Sequence, residues 1–426
     1  MPAEERKSDN EFLDRGKTRT GIPEVSMNIL AIPTTVGLSK PLSGGQNRFC
    51  NLVKCQAAHN RVIVLEPDHL HDESDDDVAK VYTYHDIEAL QRRLSIFRDI
   101  NLDFIRKAAR IIRDEEIDLI QITHPSGAMA ARTLGFLTRR KIKIVYDAHN
   151  VESDFIQQTF ANHDHYSPME RKLIPAYTNL LERVSCRYLF DHITAVSDND
   201  AATFRRKYHL KDGMISVIPS GCSIRSRISD GARNKIREGM GLRPTDIAVF
   251  FHGLYGHPPN REGFDLIQTY IAPRFADTNP DVLFVIGGTQ VPTFEEANVR
   301  SLGFITDIQN ICGADIAIVP LRSGGGTKLK VFDYMSAGLP IVTTKKGIEG
   351  IDAENYEHAI IVDDVDEDFI AGIRYLIENK EERKRIGDNA RALAEVKYDW
   401  RIIRGKLENL YQTLVPESSA RHSDST

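Results

Sequence analysis

The chain has 426 residues, 41% of them hydrophobic and 27% charged, which is the profile of a soluble globular protein long enough for two or three domains. Lys and Arg total 55 against 61 Asp and Glu, a net charge of −6, so no global basic field points to nucleic acid. No run approaches the roughly 18 apolar residues of a membrane span, the polar N-terminus lacks the apolar segment of a signal peptide, and five scattered cysteines show no zinc-type pairing; a cytoplasmic protein with reduced thiols is expected.

Residues 1–26 are polar and are expected to be a disordered tail. Met27–Pro33 reads as the first strand, followed by a loop with Gly37, Gly44 and Gly45, a helix from about Gln46 to His59 and a strand Arg61–Glu66. That β-loop-α-β start is the unit of a parallel α/β sheet. Leu42–Gln46 spells LSGGQ, an ABC-type ATPase signature, but such proteins also need GxxxxGK[ST] after a strand. The one GKT, Gly16–Thr18, has Glu11 where the first glycine belongs. Asp68–Ile100 carries an acidic run, HDESDDDV, and reads as irregular and solvated.

A helix to about Glu116, a strand Asp118–Thr123, a helix near Ala128–Arg139 and a strand Ile142–Tyr146 lead to YDAHNVE, Tyr146–Glu152. His149 thus follows the carboxyl end of a strand, where open α/β sheets bind ligands; Asn150 and Glu152 are further acceptor-side candidates. Phe136–Lys143 (FLTRRKIK) is a basic cluster, read as a solvated face or a contact for anionic lipid. A helix near Pro168–Phe190 and a strand His192–Val196 precede SDND, Ser197–Asp200. Asp198 and Asp200 form a DxD, which can hold a metal ion, yet Ser197 with Asp200 three residues on is a helix cap for Asp200–Tyr208. We read the cap, and no metal is expected.

Strand Ile215–Ile218 runs into PSGCS, Pro219–Ser223, and the polar stretch Arg225–Arg243 reads as linker and surface. A second sheet starts at Ile247–His252, ended by Gly253, and continues through Val282–Ile286, a loop with Phe304, and Asp315–Val319. The stretch richest in chemistry is Pro320–Pro340, PLRSGGGTKLKVFDYMSAGLP. Gly324, Gly325 and Gly326 separate a strand from a helix expected over Thr327–Ala337 and stopped by Gly338 and Pro340. Strand, glycine loop and helix start together offer free N–H groups and a positive helix end to an anion such as a diphosphate. Leu329, Phe332 and Met335 should face the core, while Lys330 and Asp333 share another face and look into one cleft. Strands Ile341–Thr344 and Ala359–Val362 flank GIEGI, and two helices to about Tyr398 precede an amphipathic helix Trp400–Leu414.

Pro320–Pro340 resembles the donor-site signature of the family 4 glycosyltransferases, retaining enzymes of the GT-B fold in which GxGTxLKxxEAMAxGxPVV binds a nucleotide diphosphate sugar. YDAHN resembles the family segment whose His contacts the donor sugar and helps align the acceptor. Gly44 and Gly45 resemble its donor-approaching glycines, IPSG its domain junction, and Gly253 the glycine whose loop lies under the diphosphate. The resemblance implies an α/β GT-B fold of two Rossmann-like domains facing across a cleft: residues 27–220 on the acceptor side and 221–398 on the nucleotide-sugar side. A helix over 399–415 would cross back to the first domain, and 416–426 would be disordered.

The implied activity is retaining transfer of a sugar from a nucleotide diphosphate sugar to a hydroxyl of a glycan, lipid carrier or polysaccharide precursor. His149 and Lys330 would be catalytic, with Gly44, Gly45, Gly253, Arg322, Gly325, Gly326, Thr327, Lys328 and Asp333 around the donor. No cofactor is implied beyond the nucleotide sugar, and peripheral contact with the inner face of a membrane would suit a lipid-linked acceptor. Two positions depart from the family's E-x7-E pattern: Asp333 replaces the second acid, and Gly325 stands where the first would be. Sugar-hydroxyl recognition must then come from backbone or another residue. A GT-B nucleotide-sugar epimerase and a non-catalytic glycan- or nucleotide-binding partner subunit are the alternatives; YDAHN and GTKLK favour the transferase.

Overall fold

Apolar, largely β-branched runs buried on both faces make the strands, as parallel sheets covered by helices require. The computed structural model describes residues 27–33, 38, 44–71, 78–86, 99–138, 140–161, 166–305 and 308–416. The first sheet contains β1 (Asn28–Ile32), β2 (Arg61–Pro67), β3 (Lys80–Tyr84), β4 (Leu119–Ile122), β5 (Lys143–Ala148), β6 (His192–Ala195) and β7 (Ile215–Val217). They run in the order β3-β2-β1-β4-β5-β6-β7 with every pair parallel.

The second sheet contains β8 (Ile247–His252), β9 (Val282–Gly287), β10 (Thr293–Glu296), β11 (Val299–Leu302), β12 (Ile316–Val319), β13 (Ile341–Thr344) and β14 (Ile360–Val362). Its order is β10-β11-β9-β8-β12-β13-β14, with β10 antiparallel and the rest parallel. Strand order reverses between β1 and β4 in one sheet and between β8 and β12 in the other. Those switch points open a crevice at the strands' carboxyl ends. Gly253 follows β8 and the glycine loop follows β12, so both flank the second crevice.

Three segments differ from expectation. The supposedly irregular Asp68–Ile100 contributes β3, an edge strand whose half-exposed KVYTY carries too weak an apolar pattern to stand out. Likewise the loop before Phe304 contains the β10–β11 hairpin. The expected linker Arg225–Arg243 holds a docked helix, Asp230–Gly239: Ser229 caps it by accepting from Ala232 N, and buried Arg237 donates to Asp315 Oδ2 at 2.9 Å. Residues 1–26 and 417–426, Gly37, Leu42, Ser43, residues 72–77 of the acidic run and Arg139 lie outside the described residues.

The helix Trp400–Leu414 buries Trp400, Ile403, Leu407 and Tyr411 in one core with Met27, Ile29, Phe49 and Val53 of the first domain. Tyr411 Oη also donates to Gln121 Oε1 on β4 at 3.3 Å. The chain passes between the sheets twice at one place. Cys222 N donates to Tyr398 O at 2.8 Å, and Trp400 N donates to Cys222 O at 3.1 Å.

Candidate functional site

The first wall of the crevice is built around the end of β5. Gly44 and Gly45 lie in the first turn of the helix Gly44–Ala57, not in the loop expected before it. A Cβ on Gly45 would come within 2.8 Å of His149 Nδ1, so the glycine lets the imidazole lie against the helix start. A Cβ on Gly44 would sit 3.6 Å from Leu329 Cγ, across the crevice. One turn along, Arg48 is 1% exposed; its Nη2 donates to Asp147 Oδ1 at 2.6 Å and its Nε to Oδ2 at 3.3 Å. Burial opposes the Asp147 charge, but Arg48 and His149 outweigh it and hold the carboxyl far below the usual range. His149 Nε2 lies 3.4 Å from Asp147 Oδ2 without hydrogen-bond alignment.

The loop after His149 is held from below. The buried Glu182 carboxylate accepts from Glu152 N and Ser153 N, both at 2.9 Å, and so fixes the start of the helix Glu152–Ala161. Glu152 also reaches back into the site, where its Oε1 lies 3.6 Å from His124 Nε2, and Asn150 Nδ2 donates to its Oε2 at 3.2 Å.

The opposite wall is the glycine loop and the helix after it. Gly324 and Gly326 take positive φ values of 107° and 62°, and Lys328 is extended, so the helix runs over Leu329–Ala337, starting two residues later than expected. Gly326 packs directly on the other domain: a Cβ there would meet Asn150 Oδ1 at 3.1 Å and His149 O at 3.3 Å. Thr327 Oγ1 is buried with no hydrogen-bond partner among the described residues. Phe332 and Met335 are each 1% exposed in the core, as their spacing implies, while Leu329 is half-buried.

Lys330 occupies the centre of this wall. Its Nζ donates to Asn260 Oδ1 at 2.7 Å and sits 4.1 Å from the centre of the Phe251 ring. A Cβ on Gly253 would lie 2.9 Å from that Nζ, so only glycine leaves the ammonium its place. Burial, reinforced by the Lys328 charge, brings the Lys330 ammonium down to about 7. Asp333 lies on the same side of the helix, its Oδ2 3.6 Å from His252 Nε2, and His252 Nδ1 is 3.0 Å from Tyr334 Oη. Burial lowers the His252 imidazole below its ordinary value, more than Asp333 can restore.

Two expected donor residues are engaged elsewhere. Lys328 Nζ turns back onto the loop's own carbonyls, Gly324 O at 3.3 Å, Gly325 O at 3.2 Å and Gly326 O at 2.6 Å, where burial lowers it to about 8. It braces the loop from behind. Arg322 donates to Asp364 Oδ1 at 2.6 Å and to Val365 O at 3.0 Å, and does not join the Lys330 group. The remaining expected residues do converge: Gly44, Gly45 and His149 on one wall, with Gly253, Gly325, Gly326, Thr327, Lys330 and Asp333 on the other.

Arg48, Asp147, His124, His252 and Asn260 also belong to the site and were not anticipated from the sequence. Asp147 could have been found from its place within YDAHN; a lone arginine in a helix gives no such signal. Ser197 caps its helix as read, accepting from Asp200 N at 3.1 Å and donating to Asp200 Oδ2 at 2.6 Å. Among the described residues no cluster of three or more His, Cys, Asp or Glu could hold a metal, and no helix is long and apolar enough to cross a membrane.

Comparison with known proteins gives a consistent picture. The Glycosyltransferase Family 4 model matches residues 42–225, and the Glycosyl transferases group 1 model matches residues 246–379, one on each domain. No curated protein sequence matches significantly. Among solved structures, Anabaena HepE in complex with UDP superposes with a TM-score of 0.69 at 16% identity, covering 91% of this chain and 100% of that one. Sucrose-phosphate synthase from Thermosynechococcus elongatus gives 0.67 at 15% identity, covering 91% and 99%. WaaG, a glycosyltransferase involved in lipopolysaccharide biosynthesis, gives 0.64 at 14% identity, also over 91% and 99%. The two matched family models and the two-domain GT-B fold lead to one assignment: the chain belongs to the family 4 glycosyltransferases.

Proposed function

We propose that this glycosyltransferase moves a sugar, with retention, from a nucleotide diphosphate sugar to a hydroxyl acceptor. The observation that carries the reading is Lys330: a half-buried ammonium whose hydrogen bond, among the described residues, goes to a neutral amide, beside a glycine loop. Such a cation gains a counter-charge when a diphosphate binds, and more as the diphosphate leaves. The Thr327 hydroxyl, unpartnered among the described residues, and the start of the helix Leu329–Ala337 would hold the phosphate oxygens. UDP and UDP-glucose complexes of Anabaena HepE support a donor of this class.

In the reaction the C1–oxygen bond to the diphosphate breaks while the acceptor oxygen bonds C1 from the same face. The acceptor proton passes to the departing diphosphate oxygen. His149 would contact the sugar, fixed in place by Gly45 and Asp147, and Asp333 would meet the ribose hydroxyls. The Lys330 ammonium and the start of the helix Leu329–Ala337 meet the leaving charge in this scheme, which calls on no metal. The test is a thermal-shift panel of UDP-, GDP- and ADP-sugars. One nucleotide series should stabilise the wild type, by roughly 2.7 kcal/mol at 100 times Kd, and the gain should vanish in Lys330→Ala. Absence of any shift would sink the donor site.

The acceptor-side domain also carries a surface suited to an anionic membrane. Met129, Phe136 (82% exposed) and Leu137 on the helix Ala128–Leu137, with Met169, Leu173 and Leu180 on Pro168–Val184, face outward. Exposed Lys141, Lys172, Arg183 and Arg187 accompany them. An apolar, basic face of this kind favours peripheral contact with anionic lipid, and through it a lipid-linked acceptor. Co-sedimentation with phosphatidylglycerol-containing vesicles, lost in Phe136→Glu, is the expected result; binding unchanged by that substitution would remove the surface from the proposal.

A further inference from the structure

Gly325 stands where the family carries an acid for the sugar. A Cβ on Gly325 would lie 3.2 Å from the Phe155 ring of the opposite domain, tighter than an ordinary contact. Beside that ring is a pocket of about 170 Å3 between the domains. The helix Glu152–Ala161 and the start of the helix Asp198–Tyr208 form one side, and Gly325, Gly326 and the loop Lys346–Gly350 form the other. This volume falls below the roughly 300–1,000 Å3 of sites for drug-sized ligands and is enough for one small ring.

The lining suits a polyhydroxylated ring. Asp200 Oδ2 accepts from Ser197, which leaves Oδ1 without a partner among the described residues, and burial raises this carboxyl above its ordinary value. Across the pocket, Glu349 is held at 2.7 Å from Lys346 Nζ, which orients it without consuming both oxygens. Phe155 adds an apolar ring to the same lining, and Asn150, next to His149 in the chain, lines it as well. Charged acceptors around a flat apolar surface bind a pyranose by its hydroxyls and its C–H face.

We infer that this pocket seats one pyranose ring, and that Asp200 and Glu349, one from each domain, replace the carboxylate that Gly325 lacks. The inference rests on the donor site proposed above. The ring belongs either to the donor sugar or to the acceptor, and the two sources separate experimentally.

The experiment measures binding of UDP, GDP and ADP, of UDP-glucose, GDP-mannose and ADP-glucose, and of methyl hexopyranosides to enzyme saturated with the nucleoside diphosphate. Wild type is compared with Glu349→Gln and Asp200→Asn. Both variants should bind the nucleoside diphosphate like wild type. Loss of a hydrogen bond to a charged group predicts roughly tenfold to hundredfold weaker binding of the ring-bearing probe. A loss confined to the nucleotide sugar identifies the donor ring, and a loss confined to the methyl glycoside identifies the acceptor ring; either supports the pocket. Wild-type-like binding of every sugar probe by both variants, with nucleoside diphosphate binding intact, overturns it. Failure of wild type to bind any nucleoside diphosphate instead overturns the donor site itself. Glu349 is on the surface of its loop, so Glu349→Gln keeps the test valid if Asp200→Asn folds poorly.

Discussion

Arg48 Nη2 and Asp147 Oδ1 stand 2.6 Å apart, and each of the two residues is 1% exposed. The pair joins the helix that carries Gly45 to the strand that ends beside His149, so it sets the distance between them. Removing one partner leaves a buried charge without its counter-ion, which costs about 3–5 kcal/mol. Arg48→Met should therefore lower the melting temperature sharply, while Arg48→Met with Asp147→Leu should recover much of the loss. Denaturant unfolding of the singles and the double checks this. The depressed Asp147 carboxyl fixes the pH sign: its contribution is present above the unfolded value near 4 and is lost only as pH falls well below it.

Lys330 should make donor affinity pH-dependent. Its ammonium is down to about 7, and the protonated form is the one that attracts a diphosphate. Affinity for the nucleotide sugar, whose diphosphate does not titrate in this range, should be flat below about pH 6 and weaken above about pH 8 by up to tenfold per unit. Lys330→Arg, which stays charged, should flatten the profile. Calorimetric titration across pH 5.5–9 reads both. Loss of the charge in Lys330→Ala should lower kcat roughly 100–1,000-fold.

Thr327→Val separates binding from stability. The Thr327 hydroxyl is buried and unpartnered among the described residues, so replacing it with a methyl of similar shape should raise the ligand-free protein's stability by about 1 kcal/mol. The same change should weaken nucleotide-sugar binding about tenfold. Differential scanning calorimetry with and without ligand measures the two effects in opposite directions.

Gly45→Ala should do the reverse of what helix propensity alone implies for function. Alanine in place of glycine favours a helix by about 1 kcal/mol, yet the new methyl would enter the space of His149 Nδ1. Turnover should fall while nucleoside diphosphate affinity holds, since the displaced imidazole lies on the other wall from Lys330. Steady-state kinetics with a separate binding measurement distinguishes the two.

Much of this was legible in the residues. The alternation of apolar strands and helices announced two parallel sheets, and strand, Gly-loop and Lys330–Asp333 spacing marked one wall of the crevice. What stayed hidden depends on contacts far apart in sequence. Lys328 and Lys330 look equivalent in KLK; only three-dimensional placement sends one to the loop carbonyls and the other to Asn260, seventy positions away. Arg322 likewise reads as a donor residue until Asp364 claims it. β3 escaped because its residues are mostly only partly buried and KVYTY lacks the apolar run that betrays a buried strand.

The doubled crossing near Cys222 and Tyr398 has a consequence for how the protein is made. The second domain is, in effect, an insert within the first, because the first domain's core is finished by Trp400, Ile403, Leu407 and Tyr411. On a ribosome those side chains emerge after the whole insert. The later-encoded half can therefore fold while the earlier half still exposes the surface around Phe49 and Val53, a reversal of the usual N-to-C order. A chain that ended before Asp399 would hold every strand of the second sheet and lack the side chains that close the first domain's core.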